Sequence, residues 1–275
     1  MDRFAHLKVT IEDGGRRWTL ELDHGKANEI GSAQLVELET LAAALEADPL
    51  VVSLITFSRR KTSKGTPIFV AGANVTERVG WEPDRVKAHV AWQRSVLARL
   101  RRAPVLHVAV VDGIALGWGT EFLLTADWRI AADGAVFGLP ETGLGILPGA
   151  GGTSELWTEI GVGHALRLGM TGERVGADEA LRIGLVHERV PTVDAGLARA
   201  IGLCELAARK SPTAIARFKR GVLASVGQTA EERTEIEARA YAACVDAGEA
   251  AIGRENFDAI AAGRTPPWGP RRTED

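Results

Sequence analysis

The sequence predicts an α/β domain with a mostly helical C-terminal third, and three observations predict it. Apolar runs of strand length at 51–57 and 105–111 alternate with segments whose apolar residues recur at helical spacing. Residues 113–152 form a segment unusually dense in glycine, and beyond Gly152 almost everything except 185–190 reads as helix. The chain has 275 residues, 45% hydrophobic and 25% charged, which is ample for a buried core.

In chain order, 7–12 and 16–22 read as strands around the turn Asp13-Gly14-Gly15. Ser32 opens a helix carrying Leu35, Leu38, Leu41, Ala42 and Leu45, which stops near Asp48-Pro49. After the strand at 51–57 comes a polar, basic loop, SRRKTSKGTP at 58–67, and a short strand at 68–70. Pro83 and Asp84 start a long helix ending near Arg102, and the strand at 105–111 is closed by Asp112-Gly113. Within 113–152 the pattern reads as turn, short helix from about Gly119, strand at 128–132, turn, short strand at 135–137, then loop. Further helices are separated by Gly161, Gly172 and Gly184, and Ser211-Pro212 caps the next. The last long helix covers 229–247, and the tail RTPPWGPRRTED is expected to fray.

A net charge of −3 gives no basic field for nucleic acid, so a small-molecule partner is the better expectation. Cys204 and Cys244 have neither a paired nor a metal-ligand spacing, and His24, His89, His164 and His187 form no metal-like pattern. The first residues carry charges where a signal peptide needs an apolar run, and no run reaches the length of a membrane helix; a soluble, cytoplasmic protein is expected.

Glycine-rich turns that enter helices aim backbone N–H groups at an anion. Ala71-Gly72-Ala73-Asn74 and Gly117-Trp118-Gly119 have this form, but Gly117-x-Gly119 lacks the third glycine of a dinucleotide fingerprint. No GxxxxGK is present, which excludes a P-loop. Glu121 and Glu141 are the two glutamates embedded in the glycine-dense segment. Near apolar walls such carboxylates serve as acid or base; on the plainer reading one complements a helix dipole and the other is solvated.

The run GIALGWGTEFLLTADWRIAADGAVFGLPETGLGILPGAGGT strongly resembles the crotonase family, the enoyl-CoA hydratase/isomerase group. KANEI at 26–30, FVAGANVTE at 69–77, TGERVGADEALRIGLVHERV at 171–190 and Lys210-Ser211-Pro212 fit the same family, so the similarity covers nearly the whole chain. It implies a crotonase-like spiral of ββα units in residues 1–200 and a helical C-terminal oligomerisation region in 201–275. By position, the N–H groups of Ala73 and Trp118 would form an oxyanion hole, with Glu121 and Glu141 as the catalytic pair. Lys26, Ala27, Ala71, Gly72, Asn74, Gly117, Pro140 and Gly149 would bind substrate. The implied reaction is reversible hydration of a 2-enoyl-CoA thioester in fatty acid metabolism, with coenzyme A arriving as part of the substrate and no separate cofactor or metal. Isomerisation, which typically retains only the second glutamate, thioester or C–C hydrolysis, and a catalytically inactive thioester-binding homologue are the alternatives. A homotrimer or dimer of trimers is also implied, with Leu203, Leu206, Ala207, Ile215, Phe218 and Leu223 as apolar positions for such packing or for the intrachain core.

The chain departs from the family pattern at several points. Asn74 replaces an aspartate, read as a helix-capping change, and the loop at 58–67 is long and basic, either touching coenzyme A phosphates or simply solvated. His107, in an apolar strand, reads as a core histidine, and Asp127, Trp128 and Arg129 as a structural junction. Trp118 replaces a glycine; its backbone is expected in a glycine-like, strained conformation. Its indole either fills part of the acyl pocket or packs on neighbouring helices, and its place beside the thioester carbonyl favours the first.

Overall fold

The computed structural model describes residues 4–272. Strands β1 (Lys8–Glu12) and β2 (Arg17–Glu21) form the expected hairpin, followed by α1 (Ser32–Ala47), β3 (Ser53–Phe57), β4 (Ile68–Val70), α2 (Pro83–Arg102) and β5 (Leu106–Val111). The glycine-dense segment folds as β6 (Ile114–Leu116), α3 (Trp118–Leu123), β7 (Trp128–Ala132) and β8 (Val136–Gly138). Then come α4 (Leu156–Thr171), β9 (Val175–Gly176), α5 (Ala177–Arg182), β10 (Glu188–Val190) and α6 (Val193–Ala208). The chain closes with α7 (Pro212–Ser225), α8 (Ala230–Asp246), α9 (Glu249–Glu255) and α10 (Phe257–Ala261).

The strands make two sheets. A six-stranded sheet runs β1-β2-β3-β5-β7-β10, parallel except for the β1–β2 pair, and a four-stranded sheet runs β4-β6-β8-β9, parallel except for β8–β9. The central strands are buried on both faces, hence their unbroken apolar runs. Leu54, Ala109 and Val111 face the main core with α1 and α3, while Ile55, Val108 and Val110 face α6 through Ala200 and Cys204. Among the described residues no helix is long and apolar enough to cross a membrane.

Several expectations need correction. β6 and β9 are strands where the sequence suggested turn or helix; β6 joins β4 to β8, and β9 forms the far edge of the smaller sheet. The boundary at residue 200 falls inside α6, whose Cys204 still packs on the large sheet, so the helices that stand off the core begin at α7. The tail is docked, not frayed, as far as Arg272; its last three residues lie outside the described part. The Arg271 guanidinium is buried and donates to the carbonyls of Leu45, Glu46, Asp48, Val51 and Pro104, closing the C-terminal end of α1. Two cations of the basic loop are engaged within the chain. Arg60 grips the Asp23 carboxylate and the Gly25 carbonyl, and Arg59 pairs with Asp194 at 2.6 Å. The loop closes through a bridge between Lys61 and Pro67.

Candidate active site

Three neighbouring parallel strands of the smaller sheet, β4, β6 and β8, end at Val70, Leu116 and Gly138. Ala73, Trp118 and Glu141 follow two or three residues beyond those ends, so topology alone brings them to one edge. The tight approach has a steric reason. A Cβ on Gly119 would lie 2.3 Å from the Val70 carbonyl oxygen, so only glycine lets the start of α3 close on the end of β4. The segment around Lys26 and Ala27 flanks this edge: the Ala27 carbonyl accepts from the Ala71 N–H at 3.1 Å, and Ile30 bridges Ala73.

The two expected oxyanion donors lie at this edge. Trp118 opens α3, where the first N–H groups have no acceptor within the helix. Among the described residues neither its N–H nor that of Ala73 donates to a protein acceptor, although Asn74 and Gly117 on either side are hydrogen-bonded. Gly117 carries the left-handed conformation (φ 52°), and Trp118 does not, so the expected strain belongs one residue earlier. The Trp118 indole also departs from the expected pocket-filling position. It is 2% exposed, stacks on Phe122 at 5.4 Å and joins the main core, with its Nε1 left without a partner.

Glu121 sits on the first turn of α3 and is buried. Its Oε1 accepts from the N–H groups of Ala150 (2.7 Å) and Gly152 (2.9 Å). Burial pushes its pKa up to about 7, the two amides pull against that rise, and the neighbouring Glu141 adds to it. Glu141 lies in the 3-10 turn Pro140–Leu144, which Pro140 starts. Its carboxylate presses on Gly117: a Cβ there would lie 2.4 Å from Oε1. Its Oε2 is buried without a partner, and burial raises its pKa as well. Two carboxyl groups whose pKa values burial raises thus flank the N-terminus of α3.

Ala150 and Gly152 were not singled out by sequence, although the expected Gly149 adjoins them and its carbonyl accepts from Arg94 at 2.9 Å. The signal was the run of small residues after Pro148, which lets backbone amides reach a carboxylate. The Asn74 side chain caps its own turn, accepting from the Glu77 N–H and the Thr76 hydroxyl, which agrees with a helix-capping change. His107 is a core residue bonded to Thr56 and to the Thr125 carbonyl, and burial lowers its pKa to about 3. Arg129 is a buried junction, tied to the carbonyls of Leu185 and Ala126 and to Glu159. Glu121 also forms part of the wall of a cavity of about 430 Å³ between α2, α4 and α7.

The enoyl-CoA hydratase/isomerase family model matches residues 22–269. The chain belongs to this family. A Bacillus anthracis enoyl-CoA hydratase superposes with a TM-score of 0.86 at 31% identity, covering 96% of this chain and 98% of that one. Pseudomonas aeruginosa DspI superposes equally well, with a TM-score of 0.86 at 30% identity and 98% of both chains. Among curated relatives, a short-chain-enoyl-CoA hydratase of Clostridium acetobutylicum is 33% identical over 61% of this chain and 62% of its own length. The chain spans 55%, 58% and 63% of three further relatives, and 90% of one from Dictyostelium discoideum. As a member of this family the chain has the crotonase fold, and its parallel sheets and C-terminal helices are those of these neighbours.

Proposed function

We propose that the protein adds water reversibly across the double bond of 2-enoyl-CoA thioesters. The observation that carries this reading is the pair of carboxyl groups, buried Glu121 and half-buried Glu141, beside two uncommitted N–H groups. The amides of Ala73 and Trp118 receive the thioester oxygen and stabilise negative charge as the α-carbon gains enolate character. Glu121, held by two amides and near half-ionised at neutral pH, takes a proton from water as its oxygen bonds to C3. Glu141, half-buried with its Oε2 enclosed and unpartnered, supplies the proton that C2 accepts. Proton exchange with solvent then resets both groups, so one water is consumed and no cofactor beyond the substrate's own coenzyme A is used.

Glu121→Gln and Glu141→Gln are each expected to lower turnover about a hundredfold or more while thioester binding persists. Loss of the conjugated-enoyl ultraviolet absorbance reads the first, and calorimetry with a saturated thioester reads the second. Near-normal turnover in both variants would remove the two-carboxylate mechanism. An inert wild type that still binds thioesters would identify a binding homologue.

We further propose a homotrimer, single or paired into a hexamer. Large apolar side chains stand exposed on the C-terminal helices and nearby, among them Phe218 and Tyr241 (73% each), Met170 (72%) and Phe257 (68%). Sedimentation at micromolar concentration tests this, and a stable monomer would refute it.

A further inference from the structure

Helix α7 is joined to the core by a buried cation. Lys219 sits in its middle, and its side chain is only 9% exposed. The Nζ donates to Asp127 Oδ2 at 2.8 Å and to the Val105 carbonyl at 3.0 Å. Asp127 also accepts from the His107 N–H at 2.8 Å, so the carboxylate is fixed from two sides. The ends of this strut matter. Asp127 lies between α3, which carries Glu121, and β7; Lys219 lies one turn before Leu223 on α7.

Leu223 and Val226 form part of the wall of the cavity that Glu121 faces, opposite Leu97, Leu124 and Trp157. A second cavity of about 540 Å³ continues beneath α7 past Lys219, and both are bounded by Leu124 and Leu223. Two of the cations at the first cavity are committed elsewhere: Arg94 to the Gly149 carbonyl, and Arg101 to Glu155 and Glu159. What remains facing the space is chiefly apolar. Apolar walls held apart across such volumes would gain by closing. The start of α7 is held through Thr213, bonded to Glu249 and to the Arg272 N–H, and the strut is a directional contact that holds its middle against the core.

We propose that Lys219, through Asp127, positions α7 and thereby sets the length of acyl chain the site accepts, the chain running past Glu121 and under Leu223. This rests on the hydratase reading for the placement of the reacting carbons. Lys219 is a positioning residue and touches no reacting atom.

The test uses the full chain and unbranched 2-enoyl-CoA thioesters of four and ten carbons. Lys219→Met removes the strut but strands a buried carboxylate, so the double variant Lys219→Met with Asp127→Asn is made beside it to keep the fold. In both, the ratio of kcat/KM for the ten-carbon over the four-carbon thioester should fall about tenfold, through KM. An unchanged ratio in the folded double variant, with both constants intact or lowered in parallel, would overturn the proposal. Calorimetry with saturated thioesters of four and ten carbons gives the same comparison for binding alone. Should the wild type hydrate nothing, a chain-length dependence that the double variant abolishes still supports the strut while the hydratase reading falls. No such dependence in the wild type would sink the strut as well.

Discussion

Replacing Glu121 by glutamine should stabilise the protein at high pH while it removes catalysis, because the wild-type carboxyl is held where ionisation is costly. The substitution is nearly isosteric, and the Oε1 that accepts from Ala150 and Gly152 is preserved. The pKa is raised from 4.5 to about 7, chiefly by burial. A carboxyl raised on folding contributes stability that is present below its unfolded pKa and lost as pH rises through the folded one. The loss therefore develops between pH 4.5 and about 7, and at about 1.4 kcal/mol per pH unit it reaches about 3 kcal/mol. Glutamine does not titrate, so the stability of the variant relative to wild type should grow by that amount between pH 4.5 and about pH 8. In melting temperature this is about 6 °C or more for a chain of this size. The assay is urea or thermal unfolding of both proteins across that range at one protein concentration, since assembly would shift both curves. A difference that stays flat with pH would mean that Glu121 ionises as in solution, and the acid–base assignment would lose its physical basis.

The same residue governs the rate: with Glu121 as base, kcat/KM should rise with pH through about 7, and a profile already flat from pH 5 upward would exclude that role. Gly117→Ala should lower turnover at least as far as Glu141→Gln, since alanine is strained at φ 52° and its Cβ would meet the Glu141 carboxylate at 2.4 Å; an active alanine variant would show that Glu141 is free to move. Trp118→Phe removes a buried donor that has no partner and keeps the backbone N–H, so chemical denaturation should change by less than about 1 kcal/mol, with substrate preference intact. A selective loss on one thioester would show instead that the indole N–H contacts substrate. Arg271→Ala should cost about 3 kcal/mol of unfolding free energy, because five carbonyls lose a charged donor; an unaffected midpoint would mean that the tail is dispensable.

What was legible in the sequence was set by local chemistry. The strands at 51–57 and 105–111 are buried on both faces and so announce themselves as unbroken apolar runs. Ser211 and Thr229 marked helix starts because their hydroxyls do accept from amides three residues on. β6 is only Ile114, Ala115 and Leu116 between glycines, too short for a period to register, and its strand character comes from β4 and β8 on either side. Arg271 could not be read at all: its acceptors lie more than two hundred residues away in α1 and the segment after it, except for Pro104.

The glycine-dense segment falls between these cases, and there the sequence was informative for a reason that only the structure supplies. Gly117 makes room for the Glu141 carboxylate, Gly119 for the Val70 carbonyl, and Gly152 for the Pro148 ring, which a Cβ would meet at 2.6 Å, and for the Glu121 carboxylate at 3.2 Å. Each missing side chain lets a charged or polar oxygen approach the backbone more closely than alanine would allow. Two of the three oxygens belong to the candidate catalytic pair. At Gly117 and Gly152, glycine thus lets a carboxylate pack against main chain, and such packing also keeps water from the two carboxyl groups. The burial that these two glycines permit is also what raises both pKa values.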